Sequence, residues 1–229
     1  DDIGALILFD PINIRYATDA RNMSLFSMHT LVRYVFIPLS GPVILYDYPK
    51  SEHISKELNT IDEIREAISW DFFSSGKKVN DHSRLWSQEV DDLMKNYSSD
   101  NNRLAIDICD PAGFNALKLN YNYDLYNAQI ITEKARSIKS NDEIICLQAS
   151  IEVAEMGIEK MHSKLMKGIT EEELWSYMHK INIENGGEGF ETRLLTSGPR
   201  TNTWLQECSN RIIQKGDLVA FDTDMVGPY

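Results

Sequence analysis

The segment Thr132-Glu-Lys-Ala-Arg-Ser-Ile-Lys-Ser-Asn-Asp-Glu143 is dense in charge and carries no apolar period until its end. A stretch that buries nothing cannot run through the middle of one core, so the chain is expected to fold as two bodies on either side of it. The boundary is placed inside the segment, giving domains 1–133 and 134–229. The chain has 229 residues, so each side is close to the usual domain size of roughly 100–150 residues.

The first side alternates between two periods. Gly4-Ala-Leu-Ile-Leu-Phe9 reads as a buried strand stopped by Asp10-Pro11. Val32 to Ile37 and Val43 to Tyr48 form a strand pair around the turn Ser40-Gly41-Pro42. Ile61 to Ile68 and Leu85 to Tyr97 read as helices. Leu104 to Ile108 reads as a strand, and Pro111 to Leu119 as a helix with proline in its first turn. Strands interleaved with helices predict an α/β domain.

The second side begins with a long helix. Ile144, Leu147, Ile151, Ala154, Ile158, Met161 and Leu165 recur at helical spacing, which puts one apolar stripe on one face, and the methionines here read as core packing. Gly168 ends this helix. Thr170 caps the next one, with Glu173 completing a capping box. Leu174, Tyr177, Met178 and Ile181 supply its inner face, and Asn185-Gly186-Gly187 stops it. Two strands follow, Arg193 to Thr196 and Leu218 to Phe221, so an α+β domain is expected.

The formal net charge of −12 argues against a nucleic-acid or anionic-membrane surface, which needs clustered Lys and Arg. The three cysteines, Cys109, Cys146 and Cys208, are widely spaced and lack a C-x-x-C pair. They read as buried thiols of a reducing, cytoplasmic compartment. No apolar run approaches the ~18 residues of a membrane span. Position 1 is Asp, and the chain stops at Tyr229 directly after a strand-like run, so it reads as a fragment of a longer protein.

Gly216-Asp-Leu-Val-Ala-Phe-Asp-Thr-Asp224 holds the best chemical signal. Side chains alternate along a strand, so Asp222 and Asp224 are expected to point the same way at the end of a buried strand. Two like charges there repel and are costly to desolvate. A divalent cation resolves both problems, and the competing reading is that the strand surfaces and water solvates both groups. Gly186-Gly-Glu-Gly-Phe190 lacks the Lys-Ser/Thr of a phosphate loop and reads as a helix cap plus loop, with Glu188 and Glu191 solvated. His162 and His179 read as surface or packing residues. His29, in an aromatic and Met-rich stretch, is a pocket candidate. Trp204 is either a packing plug or a pocket wall.

These pieces together resemble a known family. Asn13-Ile-Arg-Tyr-Ala-Thr18 resembles an element of the creatinase-type N-terminal domain. Arg136-Ser-Ile-Lys-Ser-Asn-Asp-Glu-Ile144 resembles the entry to the pita-bread domain. Ser197-Gly-Pro, Lys215-Gly-Asp-Leu-Val219 and Phe221 to Asp224 follow in the order found in the creatinase and Xaa-Pro peptidase metallopeptidases. The resemblance implies an α/β creatinase-like domain followed by a truncated α+β pita-bread domain. It also implies two divalent first-row metal ions (iron, manganese, cobalt or zinc), Asp222 and Asp224 as the first metal ligands, and a homodimer. Further ligands, an Asp, a His and two Glu, would follow Tyr229, and the catalytic base is not among the residues that can be matched.

Two departures separate the chain from the peptidases of that family. Those carry a His shortly after the Ser-Gly turn, whereas Ser197 to Cys208 contains none. They also read Asp-x-Gly where this chain has Asp222-Thr-Asp224. Both features resemble the dimethylsulfoniopropionate lyase branch, as do Phe9 to Asp19, Glu191 to Asn202 and Trp204 to Cys208. That branch implies cleavage of a sulfonium substrate to dimethyl sulfide and acrylate. A sulfonium cation is attracted by aromatic faces. Trp204 is therefore the first substrate-binding candidate, with Tyr16, Phe26 and His29 behind it. The alternatives are a metal-dependent Xaa-Pro dipeptidase or aminopeptidase and a non-catalytic binding relative.

Overall fold

The computed structural model describes residues 2–228. The chain parts into two compact units, Asp1–Ser137 and Ile138–Tyr229.

In the first unit, β1 (Ala5–Leu8) is followed by α1 (Pro11–Thr18) and α2 (Ser24–Thr30). The Asp10-Pro11 pair that ends β1 also starts α1. The Asp10 side chain accepts from the Ile12 amide at 2.8 Å, and Pro11 takes a first-turn position where no amide hydrogen is needed. Next come β2 (Tyr34–Pro38), β3 (Ile44–Asp47), β4 (Glu63–Glu66), α3 (Phe72–Ser75) and α4 (Val79–Tyr97). β5 (Arg103–Ile106), α5 (Pro111–Asn120), β6 (Asp124–Asn127) and α6 (Ala128–Ser137) complete the unit.

The six strands form one sheet in the order β4-β3-β2-β1-β5-β6. β2 is antiparallel to β1 and β3, and the other neighbours run parallel. Both faces are covered, which the strict alternation of the central strands makes clear. Ile7, Tyr34, Phe36, Ile44 and Tyr46 face a core shared with Trp70, Trp86 and Leu93. Leu8, Val35 and Leu45 face a second core with Ile14 and Ala128.

One expectation is corrected here. Ile61 to Ile68 is not a helix, because β4 lies within it and pairs in parallel with β3. Its apolar residues divide between the two faces: Ile61 and Ile64 pack on the second core, Ala67 and Ile68 on the first. A helix of this length would have kept them on one side. The boundary expected at 133/134 falls inside α6. That helix buries Ala128 and Thr132 among its charged residues, so its few core contacts escape a reading of net composition.

The second unit opens with α7 (Asn141–Lys164), capped by Ser140 and Glu143, and α8 (Glu171–Glu184), capped by Thr170 and Glu173. Four short strands follow: β7 (Gly189–Phe190), β8 (Leu195–Ser197), β9 (Val219–Phe221) and β10 (Met225–Val226). The stripe expected to bury α7 does not do so. Ile144, Ile151 and Ile158 are exposed, and the buried face is Val153, Gly157 and Met161. Gly157 sits tightly on α8, where a Cβ would lie 2.2 Å from Met178 Sδ. A side chain at this position would have to displace the Met178 thioether. Met161 is in the core as expected, whereas Met156 is exposed. The core also takes in Leu174, Trp175, Met178, Leu195, Cys208 and Ile213.

Candidate active site

The acidic segment lies on an interrupted ribbon. β7 pairs with β10, and β8 pairs with β9, both antiparallel. Phe190 faces Met225 and Leu195 faces Phe221, so residues 191–194 stand opposite residues 222–224. Four residues against three make a bulge, a device that bends a strand and re-aims its side chains. The Asp222 amide still donates to the Leu194 carbonyl at 3.0 Å, and the Glu191 amide to the Asp224 carbonyl at 3.1 Å.

Asp222 and Asp224 therefore flank the bulge and do not end a continuous buried strand. β9 is only half-buried and both aspartates are exposed, so the desolvation argument for a cation does not apply as expected. Among the described residues, Asp224 accepts a hydrogen bond from the Thr192 hydroxyl, and Asp222 accepts from the Thr223 amide at 2.8 Å. Neither has a basic partner there. Their remaining lone pairs are hard oxygen donors suited to a divalent cation. No group of three or more His, Cys, Asp or Glu gathers around them among the described residues. The donor set fits a divalent ion in part, as two ligands of a larger shell.

Two buried polar side chains hold the ribbon and the loop beside it. Asn182 on α8 is fully buried, and its Nδ2 donates to the carbonyls of Gly189 and Val226, each at 3.1 Å, which ties β7 and β10 together. Gly187 must be glycine for this contact, since a Cβ would lie 1.8 Å from Asn182 Oδ1. Glu171, at the start of α8, is also fully buried. Its carboxylate accepts from the Ser197 amide and hydroxyl at 2.7 Å each, from the Ser209 amide at 3.0 Å and hydroxyl at 2.7 Å, and from Arg200. Burial alone would raise its pKa. The hydrogen bonds from Ser197 and Ser209 and the Arg200 charge outweigh burial and hold it below the usual carboxylate range. Both residues escaped the sequence reading. For Asn182 no sequence signal exists. For Glu171 the only one was its place beside the capping box, where a first-turn carboxylate is ordinary.

Trp204 is 37% exposed, in the loop that leaves the turn at 198–201 and returns at Cys208. The other described tryptophans, Trp70, Trp86 and Trp175, are buried. Trp204 belongs to the second unit with both aspartates. Tyr16, on α1, and Phe26 and His29, on α2, belong to the first unit and are exposed. Phe26 lies 6.1 Å from the Tyr48 ring and 6.4 Å from Phe73. His162 is exposed, and His179 packs on the Phe190 ring at 4.8 Å. Glu188 and Glu191 are exposed.

Residues 145–228, which carry this ribbon and loop, match the model of metallopeptidase family M24. Over those residues the chain is similar to that family. It is similar over its full length to the dimethylsulfoniopropionate lyase DddP of Roseovarius nubinhibens, at 36% identity, and over 98% of its length to that of Roseobacter denitrificans, at 37%. The chain spans about half the length of these relatives, 52% and 51%. Among solved structures, recombinant prolidase from Thermococcus sibiricus superposes with a TM-score of 0.75 at 19% identity, covering 99% of this chain and 58% of that one. At that identity the likeness shows the fold alone, and the fold is the creatinase-like and pita-bread architecture expected from the motifs. No described helix is long and apolar enough to cross a membrane.

Proposed function

We propose that this chain is part of a metal-dependent lyase that cleaves dimethylsulfoniopropionate to dimethyl sulfide and acrylate. The observation that carries the reading is its similarity at 36% and 37% identity to two proteins of that name, across both units. The residues in which the chain departs from the peptidases, the His-free stretch Ser197 to Cys208 and Asp222-Thr-Asp224, lie inside the match.

In this proposal Asp222 and Asp224 are the first ligands of two divalent first-row metal ions, with Thr192 orienting Asp224 through its hydroxyl. Metal bound there would supply Lewis acidity to the substrate carboxylate and acidify the adjacent C–H. A carboxylate base takes that proton, the C–H electron pair forms the double bond of acrylate, and the C–S pair leaves on dimethyl sulfide. Trp204 presents an aromatic face to the sulfonium cation, a contact of roughly 0.5–2 kcal/mol. Tyr16, Phe26 and His29 are proposed as further pocket residues. A cytoplasmic homodimer is proposed with them.

Assays of the full-length protein with dimethylsulfoniopropionate and, separately, with Ala-Pro test the reading. Headspace dimethyl sulfide without release of proline is the expected result, and proline without sulfide overturns it in favour of an Xaa-Pro peptidase. Asp222→Asn and Asp224→Asn should each lower bound metal, measured by elemental analysis of the purified protein. Unchanged metal content removes these residues from the centre.

A further inference from the structure

Glu171 is a charged side chain with no surface, and a metal ligand set has no use for it. Its partners are not scattered. Ser197 and Arg200 precede the loop that carries Trp204, and Ser209 follows it. One carboxylate oxygen takes both Ser197 donors, and the other takes Arg200 and both Ser209 donors. Arg200 then spans the loop, donating to the Glu207 carbonyl at 2.8 Å, and Gln206 Nε2 donates to the carbonyls of Thr203 at 2.7 Å and Arg200 at 3.2 Å. A surface loop whose ends are drawn together in this way behaves as a compact unit. The arms outside this closure, Thr203, Trp204 and Leu205, are exposed.

We infer that Glu171 is a positioning residue: its buried carboxylate clamps both ends of the loop from Asn202 to Cys208 and so fixes the direction of the Trp204 ring. The part of this inference that concerns substrate rests on the proposed reading of Trp204, and the positioning part does not. Nothing in the loop's own composition would hold it, because its middle buries no large side chain. The substitution Glu171→Gln would set an NH2 group against the Ser197 amide on one side, or against the Ser209 amide and Arg200 on the other; the serine hydroxyls can turn to accept, but these groups only donate, so the clamp is lost in part.

The test uses the full-length protein with Glu171→Gln, Ser209→Ala and Trp204→Phe. Acrylamide quenching of the emission that Trp204→Phe removes reports the exposure of that ring alone. Glu171→Gln should raise its quenching constant about twofold or more, as expected for a ring freed from a half-covered position. KM for dimethylsulfoniopropionate should rise about tenfold, comparable to losing one cation–aromatic contact, with a smaller change in kcat. Should Glu171→Gln fail to fold, Ser209→Ala, which keeps the carboxylate and removes one hydroxyl donor, must raise the quenching constant in the same direction. An unchanged constant in a folded Glu171→Gln or in Ser209→Ala overturns the inference. A raised constant with unchanged KM upholds the clamp and removes Trp204 from the substrate site.

Discussion

Gly157→Ala places two opposed effects at one site. In a helix interior alanine is favoured over glycine by about 1 kcal/mol. The added methyl, however, would stand 2.2 Å from Met178 Sδ and 3.1 Å from its Cε, against a normal carbon contact of about 3.5–4.0 Å. Met178 has no exposed surface and is packed among Met161, Leu174, Trp175 and Leu195, so its thioether cannot swing into solvent. The Met178 Cα is 3.7 Å away, so α8 can keep its backbone while the side chain changes rotamer. Overpacking of this kind costs roughly 1–3 kcal/mol, which leaves Gly157→Ala less stable than wild type by about 1 kcal/mol after the propensity gain. Met178→Ala alone should cost about 2–5 kcal/mol, and in the Gly157→Ala background less, since the new methyl occupies part of the cavity. Urea unfolding followed by the fluorescence of Trp175, which packs on Phe190 and Phe221, reads both variants and their coupling. A Gly157→Ala protein that is more stable than wild type, with no coupling to Met178, would refute the close-approach account of α7 and α8.

Three further outcomes follow from buried groups. Because the Glu171 carboxyl is held below its unfolded value of about 4.3, its contribution is complete above that pH and is lost as pH falls through the lower folded value. The acid side of a stability–pH profile should therefore be steeper in wild type than in Glu171→Gln, and identical slopes would count against the network. Arg33 and Asp47 form a buried pair at 3.0 Å on the first unit's sheet, so Asp47→Asn should cost about 3–5 kcal/mol by stranding the guanidinium, whereas Arg33→Met with Asp47→Leu should recover most of the loss in a thermal melt. Burial and the neighbouring Asp110 push the Cys109 thiol up to about 12, which leaves about one thiolate in ten thousand at pH 8. Iodoacetamide should label the half-buried Cys109 far more slowly in the native protein than after unfolding, and labelling at the rate of a free thiol in the native protein would refute this account of its environment.

The parts of the fold that were legible in the sequence are those fixed within a few residues. The capping box at Thr170 is a local hydrogen-bond pattern, and α8 starts where its residues say. The strands around the turn at Ser40-Gly41-Pro42 are likewise set by alternation and turn chemistry. The failures share a different cause. Spacing along α7 names a stripe, but which face packs on α8 depends on what stands opposite, and the packed face carries Gly157 set against Met178. The spacing from Ile61 to Ile68 fits a helix and a strand equally over so short a window, and pairing with β3 decided between them.

The site divides along the same line. Asp222 and Asp224 were visible because their spacing and the apolar run before them are local. Their surroundings were not, because the bulge is a register mismatch between two segments about thirty positions apart, and neither segment records it alone. Glu171 was hidden more completely. Thr170 is followed by three consecutive glutamates, all alike to any reading of propensity or charge. Glu173 closes the capping box on the Thr170 amide at 2.9 Å, Glu172 is exposed, and Glu171 alone turns inward. What separates them is the presence of Ser197, Arg200 and Ser209 at the start of the helix, donors drawn from two other parts of the chain. A buried carboxylate is stable only where such donors converge. Its role is thus a property of the assembled loop and helix, and substitution of Ser209 should expose that role as surely as substitution of Glu171 itself.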